Sequence, residues 1–327
     1  MSVSFAKNDM RLLVTGGAGF IGSNFIRHIL NKYPDYKIIN LDKLTYAGNL
    51  ENLRDVEKNK NYTFIRGDIC DSKLVEKIIT GCGQLINFAA STHVDRSIQD
   101  ASDFIRANIQ GTYSLLEAAR HQRLRLFLQI SSDEVYGSIP VGRSKEVDPL
   151  LPNSPYSASK ASADHLVRSY YITYKLPAII TRSSNNFGPY QYPEKAIPLF
   201  VTNLLEGKKI PLYGDGLNCR DWIFVLDNCR AIDTVLHQGR VGEIYNIGTG
   251  SEISNIILVK KILSLTRKPD SFIKYVPDRP GHDRRYALNC AKLRSLGWQK
   301  EFKLDPALKI TIDWYKNNQS WWKKLKK

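Results

Sequence analysis

The sequence predicts an α/β protein built on a doubly wound parallel sheet, with a smaller α/β substrate-binding part. Three observations carry this. Through the first half of the chain, short apolar runs alternate with longer amphipathic ones, the rhythm of βαβ units. A glycine-rich segment, Val14-Thr-Gly-Gly-Ala-Gly-Phe-Ile-Gly22, joins the first apolar run to the first amphipathic one. Beyond about residue 183 the texture changes: Gly, Pro and Tyr cluster in Asn186-Phe-Gly-Pro-Tyr-Gln-Tyr-Pro193, and shorter elements with more loops follow.

Taken in order, a strand is expected at Arg11–Thr15, just before the glycines, and a helix at Phe20–Lys32, just after them. A second strand, Lys37–Leu41, ends at Asp42, and a third, Thr63–Arg66, leads to Asp68. The fourth, Leu85–Phe88, precedes Ser91-Thr-His-Val-Asp-Arg96 and the helical stretch Ala101–Arg120. Leu124–Ile130 runs into Ser131-Ser-Asp-Glu-Val-Tyr136; Ser157–Lys175 is a long helix, and Ala178–Thr181 the sixth strand. No internal repeat or low-complexity segment interrupts this. The expected division is a cofactor domain of residues 1–183 with about 223–250, and a second domain of about 184–222 with 251–327.

At 327 residues, 43% hydrophobic and 24% charged, the chain can bury a sizeable core and has an ordinary soluble composition. No apolar run approaches bilayer length, and Met1-Ser-Val-Ser-Phe-Ala-Lys-Asn-Asp9 lacks the apolar stretch of a signal peptide. Cys70, Cys82, Cys219, Cys229 and Cys290 form no CxxC pair, and their odd number argues against a disulfide framework. A reducing cytoplasm is expected. The net charge of +15 is spread along the chain apart from Lys323-Lys-Leu-Lys-Lys327, which reads as a solvated helix end. With no zinc-finger, RRM-like or helix-turn-helix pattern, an enzyme with an anionic cofactor and substrate explains the charge better than a nucleic-acid partner.

Glycines between a strand and a helix permit a tight turn and close approach to a pyrophosphate resting on the helix N-terminus. Here Gly16, Gly19 and Gly22 have that context on both sides, so a Rossmann-type dinucleotide site is expected. Asp42 lies twenty residues past Gly22. A carboxylate there accepts hydrogen bonds from the adenosine ribose and repels a 2′-phosphate, which favours NAD over NADP, although Lys43 beside it pulls the other way. Asp68 is read as an adenine-edge contact or a plain turn carboxylate.

Tyr156-Ser-Ala-Ser-Lys160 puts a phenol and an ammonium on one helical face, and a nearby cation favours the phenolate. Alone, the two could be a solvated helix pair. Downstream of a dinucleotide loop they can start a hydride transfer. Asp133 and Glu134 follow a strand on the carboxyl side of the sheet, where ligands bind in such folds, and offer an acid and a base for removing water. His93 is a pocket residue or a structural hydrogen-bonder. Glu194-Lys195, Arg220-Asp221 and Asp278-Arg-Pro-Gly-His-Asp-Arg-Arg-Tyr286 suit phosphate oxygens or are surface loops of a basic protein. The six histidines have no metal-ligand spacing with the cysteines, and no metal is expected.

At these residues the chain resembles the extended short-chain dehydrogenase/reductases, and within them the dTDP-glucose 4,6-dehydratase family. The likeness runs from Leu12–Gly22 through Phe88-Ala-Ala90, His93–Ser97, Ser132-Asp-Glu-Val-Tyr-Gly137, Tyr156-x-x-x-Lys160 and Ser184-Asn-Asn186. It continues through Gly188–Lys195, Leu212–Gly216, Arg220-Asp-Trp222, Tyr245–Gly248 and Asp278–Asp283 to the Trp-Tyr-x-x-Asn segment near 314–318. The Asp133-Glu134 pair discriminates, because related epimerases lack it and related decarboxylases keep only the Glu. Three places depart from the family: Ser91 stands for a usual Glu, Ser132 for a usual Thr, and Gly248–Ser254 differs from the usual Gly-Gly-x-Asn-Glu-Lys-Thr.

The resemblance implies a catalytic set of Tyr156, Lys160, Asp133, Glu134 and Ser132. It implies NAD held by Gly16, Gly19, Phe20, Ile21, Gly22, Asp42, Lys43, Thr45, Asp68, Ile69, Ala89, Tyr156, Lys160 and Asn185. For the nucleotide sugar it implies Thr92, His93, Ser132, Asn185, Glu194, Lys195, Arg220, Asn255, Arg279 and His282. A dehydratase of another nucleotide sugar such as UDP-glucose shares this pattern; a 4-epimerase or decarboxylase would not need Asp133, and a non-enzymatic NAD-binding regulator could lose all four central residues. The resemblance also implies a homodimer in which Ala101–Arg120 and Ser157–Lys175 pair with their copies as a four-helix bundle. Their apolar content supports this: Phe104, Ile105, Ile109, Tyr113, Leu115, Leu116 and Ala119 on the first helix, and Ala158, Ala161, Ala163, Leu166, Tyr170, Tyr171 and Tyr174 on the second.

Overall fold

The computed structural model describes residues 11–326, so the leader reading of residues 1–9 and the terminal Lys327 lie outside it. Its centre is a seven-stranded sheet: β1 (Arg11–Thr15), β2 (Lys37–Asp42), β3 (Tyr62–Arg66), β4 (Gln84–Asn87), β5 (Leu126–Ser132), β6 (Ala178–Ser183) and β10 (Ile244–Ile247). Their order is β10-β6-β5-β4-β1-β2-β3 and every pairing is parallel. Such strands are covered on both faces, which is why β4 and β5 are buried at every position.

One face is packed by Phe25, Ile26 and Ile29 of helix Phe20–Lys32 with Ile232, Val235 and Leu236 of helix Val225–Gln238. The other is packed by Val75 and Ile79 of Ser72–Ile79, Leu115 and Leu116 of Thr112–His121, and Val167 and Tyr170 of Pro155–Tyr174. Each such side chain contributes about 1.5–3 kcal/mol on leaving water. Strand order reverses at β1, whose neighbours are β2 and β4, and this opens a crevice at the carboxyl ends of the strands.

The second part holds a three-stranded sheet of β7 (Asn185–Phe187), β9 (Cys219–Phe224) and β11 (Glu252–Ser254), and a parallel pair of β8 (Ile210–Tyr213) and β12 (Ile273–Val276). Helices Ala196–Leu205, Asn255–Thr266, Leu304–Asn317 and Gln319–Lys323 surround an aromatic-rich core with Phe187, Phe224, Tyr315, Trp321 and Trp322. Among the described residues, no helix is long and apolar enough to cross a membrane.

Boundaries match expectation closely where local pattern governs. Arg11–Thr15 and Phe20–Lys32 are as predicted, while β5 begins and ends two residues later. The single helix expected at 101–120 is instead Ser102–Phe104, a π-helical turn over Ile105–Gly111, and Thr112–His121. The cause is Asn108. Its side-chain amide accepts from the Ser91 N–H at 2.9 Å and donates to Ser91 O at 3.1 Å and Ser159 Oγ at 2.8 Å. Those contacts pull one turn wide, as π-bulges do at functional sites.

Candidate active site

The crevice is a cavity of about 320 Å³ between the sheet and the second part. Gly16, at φ +69°, forms its floor; a Cβ there would stand 2.6 Å from the Ala89 nitrogen at the end of β4. A Cβ on Gly22 would stand 2.4 Å from Gly16 O. Only glycine permits this close turn, and it leaves the N-terminus of helix Phe20–Lys32 open toward the cavity.

Asp42 is buried at the end of β2, accepting from Ala18 N–H at 2.9 Å and from Leu44 N–H at 2.8 Å. Burial raises its pKa and the two backbone donors oppose the rise. Lys43 turns from Asp42 to Asp68, at 2.9 Å, where Arg106 joins at 3.1 Å. That pairing removes the objection that Lys43 raised to NAD. Phe20, Ile21, Thr45, Ile69, Ala89 and Asn185 line the same cavity.

On its other wall stand Ser132, Asp133, Glu134, Tyr156 and Lys160. Ser154 caps the helix that carries the last two, in a capping box with Ser157 and with Pro155 in the first turn, a start worth about 1 kcal/mol. Ser132 ends β5 and caps the short 3₁₀ turn Asp133–Tyr136 by accepting from the Glu134 N–H at 3.3 Å. It also donates to Asp133 Oδ1 at 3.3 Å and hydrogen-bonds the Tyr156 phenol.

Tyr156 and Lys160 lie one turn apart on the same helix. Lys160 Nζ donates to Ile130 O at 2.7 Å, and burial lowers its pKa to about 8, against the pull of Asp164 one turn on. Burial pushes the Tyr156 phenol up, Glu134 and Asp133 push it further, and the Ser132 hydrogen bond works the other way. The lysine therefore orients toward strand β5, and two carboxyl groups dominate the field at the phenol.

The two carboxyl groups are unlike. Burial raises both. Asp133 is raised well above its usual value because Glu134 and Asp221 add to burial, with Arg220 the opposing cation. Glu134 has Arg279, Arg220 and Lys195 favouring its charged form. The proton therefore rests more readily on Asp133 than on its neighbour.

The residues expected to meet substrate divide into two groups. Thr92, Asn185, Glu194 and Lys195 line the cavity, with Lys195 Nζ held on Thr92 O at 2.8 Å. His93, Arg220, Asn255, Arg279 and His282 do not. His93 Nδ1 caps helix Val94–Gln99 by accepting from Arg96 N–H at 3.4 Å. Arg220 lies over the Tyr286 ring at 4.3 Å and donates to Asp283 O at 2.7 Å. Arg279 pairs with Asp95 at 2.8 Å, His282 with Asp278, and the Asn255 N–H donates to Asn218 O at 3.0 Å as its helix begins. Arg220 and Arg279 still act on Glu134 through charge.

Tyr46 and Tyr192 are among the cavity residues that were not expected as site residues. The two meet edge to face at 5.4 Å, with Arg96 over the Tyr46 ring at 4.0 Å. The Pro/Tyr cluster signalled Tyr192; a lone tyrosine in the loop after Asp42 carried no signal. Ser131 Oγ, Asp133 Oδ2, Ser184 Oγ, Asn185 Oδ1, Asn186 Oδ1, Gln191 Oε1 and Glu194 Oε1 are buried without a protein partner, and all belong to residues that line this cavity. Buried polar atoms are normally paired, so such a cluster is built to be completed by a polar ligand. Glycine cradle, Asp42 and orphaned acceptors together fit a dinucleotide beside a sugar.

The parallel sheet, its glycine turn and the Tyr156-x-x-x-Lys160 helix define an extended short-chain dehydrogenase/reductase. Comparison with known proteins narrows this. The family profile described as GDP-mannose 4,6 dehydratase matches residues 13–311. The dTDP-glucose 4,6-dehydratase of Streptomyces niveus is 49% identical over 322 residues, covering 97% of this chain and 96% of that protein. The low-salt glycan biosynthesis protein Agl12 of Haloferax volcanii is 50% identical, covering 94% and 98%. The solved structure of DesIV, the dTDP-glucose 4,6-dehydratase of Streptomyces venezuelae, with NAD bound, superposes with a TM-score of 0.95 at 49% identity, covering 97% of this chain and all of that one. The chain belongs to the dTDP-glucose 4,6-dehydratase family, and it is an NAD-dependent dehydratase, a carbon–oxygen lyase.

Proposed function

We propose that the enzyme converts dTDP-glucose to dTDP-4-keto-6-deoxyglucose and water at this cavity. The observation that carries the reading is the adjacent Asp133–Glu134 pair, set beside Tyr156 and biased apart in proton affinity. When bound, NAD would supply the acceptor for hydride from C4 and the donor of hydride to C6, with no net redox change. Tyr156 accepts the 4-hydroxyl proton while Ser132 orients the 4-oxygen and Lys160 braces the helix against β5. The 4-ketone acidifies the proton on C5. Glu134, whose charged form Arg279, Arg220 and Lys195 favour against burial, removes it; Asp133 protonates the departing 6-hydroxyl, and Glu134 gives its proton back to C5 as hydride reaches C6. Thr92, Asn185, Glu194 and Lys195 contact the nucleotide sugar, and His93, Arg220, Asn255, Arg279 and His282 support or reach it from the surrounding loops.

The direct test incubates purified protein with dTDP-glucose and with UDP-glucose, then adds alkali and reads the absorbance of a 4-keto-6-deoxy product. Signal with dTDP-glucose is expected. Its absence there, or a larger signal with UDP-glucose, overturns the substrate reading.

The cofactor part is assigned to residues 1–183 with about 223–250, and the nucleotide-sugar part to about 184–222 with 251–327. Free thiols at all five cysteines support a cytoplasmic setting. A two-fold dimer is also proposed. Phe104, Leu115, Leu116 and Ala119 are buried in the protomer, but Ile105 and Tyr113 are 55% and 50% exposed, as are Ile172 and Tyr174 at 49% and 51%. Those side chains lie on the two stretches expected to form the bundle, and none of them lines the cavity. Light scattering at micromolar concentration should give twice 37.2 kDa; a value of 37.2 kDa would refute the dimer.

A further inference from the structure

The C-terminal helix Gln319–Lys323 reaches across to the cofactor half of the protein. Trp321, 7% exposed, donates its indole N–H to Asn52 Oδ1 at 3.0 Å, and Asn52, 1% exposed, donates its amide to Ala18 O at 2.9 Å. Ala18 lies inside the glycine-rich loop, and its own N–H is the one that Asp42 accepts at 2.9 Å. Asn49 N–H also donates to Ala18 O, at 3.0 Å, so the turn around Leu50–Leu53 grips the loop from outside. Tyr192 of the cavity wall donates to Leu325 O at 3.1 Å, and Lys324 pairs with Glu51 at 3.1 Å, which hold the helix in place.

We infer that Trp321 is a positioning residue for the dinucleotide: through Asn52 it fixes the glycine-rich loop at Ala18 and hence the seat of the pyrophosphate and ribose. The inference rests on the dinucleotide site described above. The loop backbone must hold its N–H groups still to bind phosphate oxygens, and a loop is held best where its carbonyls are satisfied from behind. Residues 321 and 18 lie at opposite ends of the chain, yet a single asparagine side chain joins them.

The test compares Trp321→Phe with Trp322→Phe. Both remove a buried indole donor, since Trp322 donates to Tyr315 O at 2.8 Å, but Trp322 has no link to Asn52. Phenylalanine at 321 retains ring contact with Trp314, now at 5.0 Å, and Tyr190, at 6.1 Å. Calorimetric titration with NAD should give a Kd about fivefold weaker for Trp321→Phe, the loss of one hydrogen bond worth about 1 kcal/mol. Trp322→Phe should lower the thermal midpoint while leaving that Kd within twofold of the parent. An unchanged Kd in Trp321→Phe, or an equal rise in both variants, overturns the inference. Asn52→Ala gives a second arm: added to it, Trp321→Phe should weaken NAD no further, and additive losses would show that the two residues act separately. Failure of the parent protein to bind NAD would instead overturn the dinucleotide site.

Discussion

Tyr156→Phe should lower turnover of dTDP-glucose by roughly 100- to 10,000-fold, the usual contribution of a positioned proton-transfer group, while NAD affinity stays within twofold. The variant keeps the ring, its edge contact with Phe104 at 6.3 Å and the helix start, and removes only the hydroxyl that bonds Ser132. The glycine cradle is untouched, so binding and chemistry should separate. Steady-state assay with calorimetry on the same preparation measures both. Wild-type turnover would remove the hydride-transfer role of Tyr156. Because burial and two carboxyl groups push the phenol up, the acceptor form is scarce at low pH. Turnover on the acid side should therefore climb as pH rises.

Asp133→Asn combined with Glu134→Gln should abolish water loss, with dehydrated product falling by at least about 1,000-fold, because acid and base are both removed. Oxidation at C4 should survive, since Tyr156, Ser132 and the cofactor site remain. Mass spectrometry of the quenched reaction should find the 4-keto sugar still carrying its 6-hydroxyl, or starting material, and absorbance at the reduced-nicotinamide band should rise after mixing. Undiminished dehydrated product would sink the role assignment. Asp133 contributes to the alkaline limit. Its raised pKa keeps the acid form present above the usual carboxyl range, and turnover should fall as pH passes through that value and the proton is lost.

Short-range pattern made much of this legible. Leu12-Leu-Val-Thr followed by glycines and an amphipathic run sets β1, the turn and helix Phe20–Lys32, because each depends on neighbours within a few residues. Spacing of four places Tyr156 and Lys160 on one helical face, and the end of β5 places Asp133 and Glu134 in the crevice, for the same local reason. The reaction class was readable from those four residues and the family they resemble.

What the tertiary structure alone decided are contacts between distant segments. Asn108 bonds Ser91 and Ser159 and widens a helix into a π turn that its own sequence does not encode. Lys160 meets Ile130 O, which turns the expected phenolate-stabilising cation toward the backbone. Arg220, Arg279 and Lys195, each at least sixty residues from Glu134, favour its charged form, while Asp221 favours the protonated form of Asp133. The sequence by itself determined which groups are present and which short elements carry them, since helix and strand periodicity are local. Their protonation order depended on charges summed over the folded surroundings, because electrostatic interaction acts through space and not along the chain.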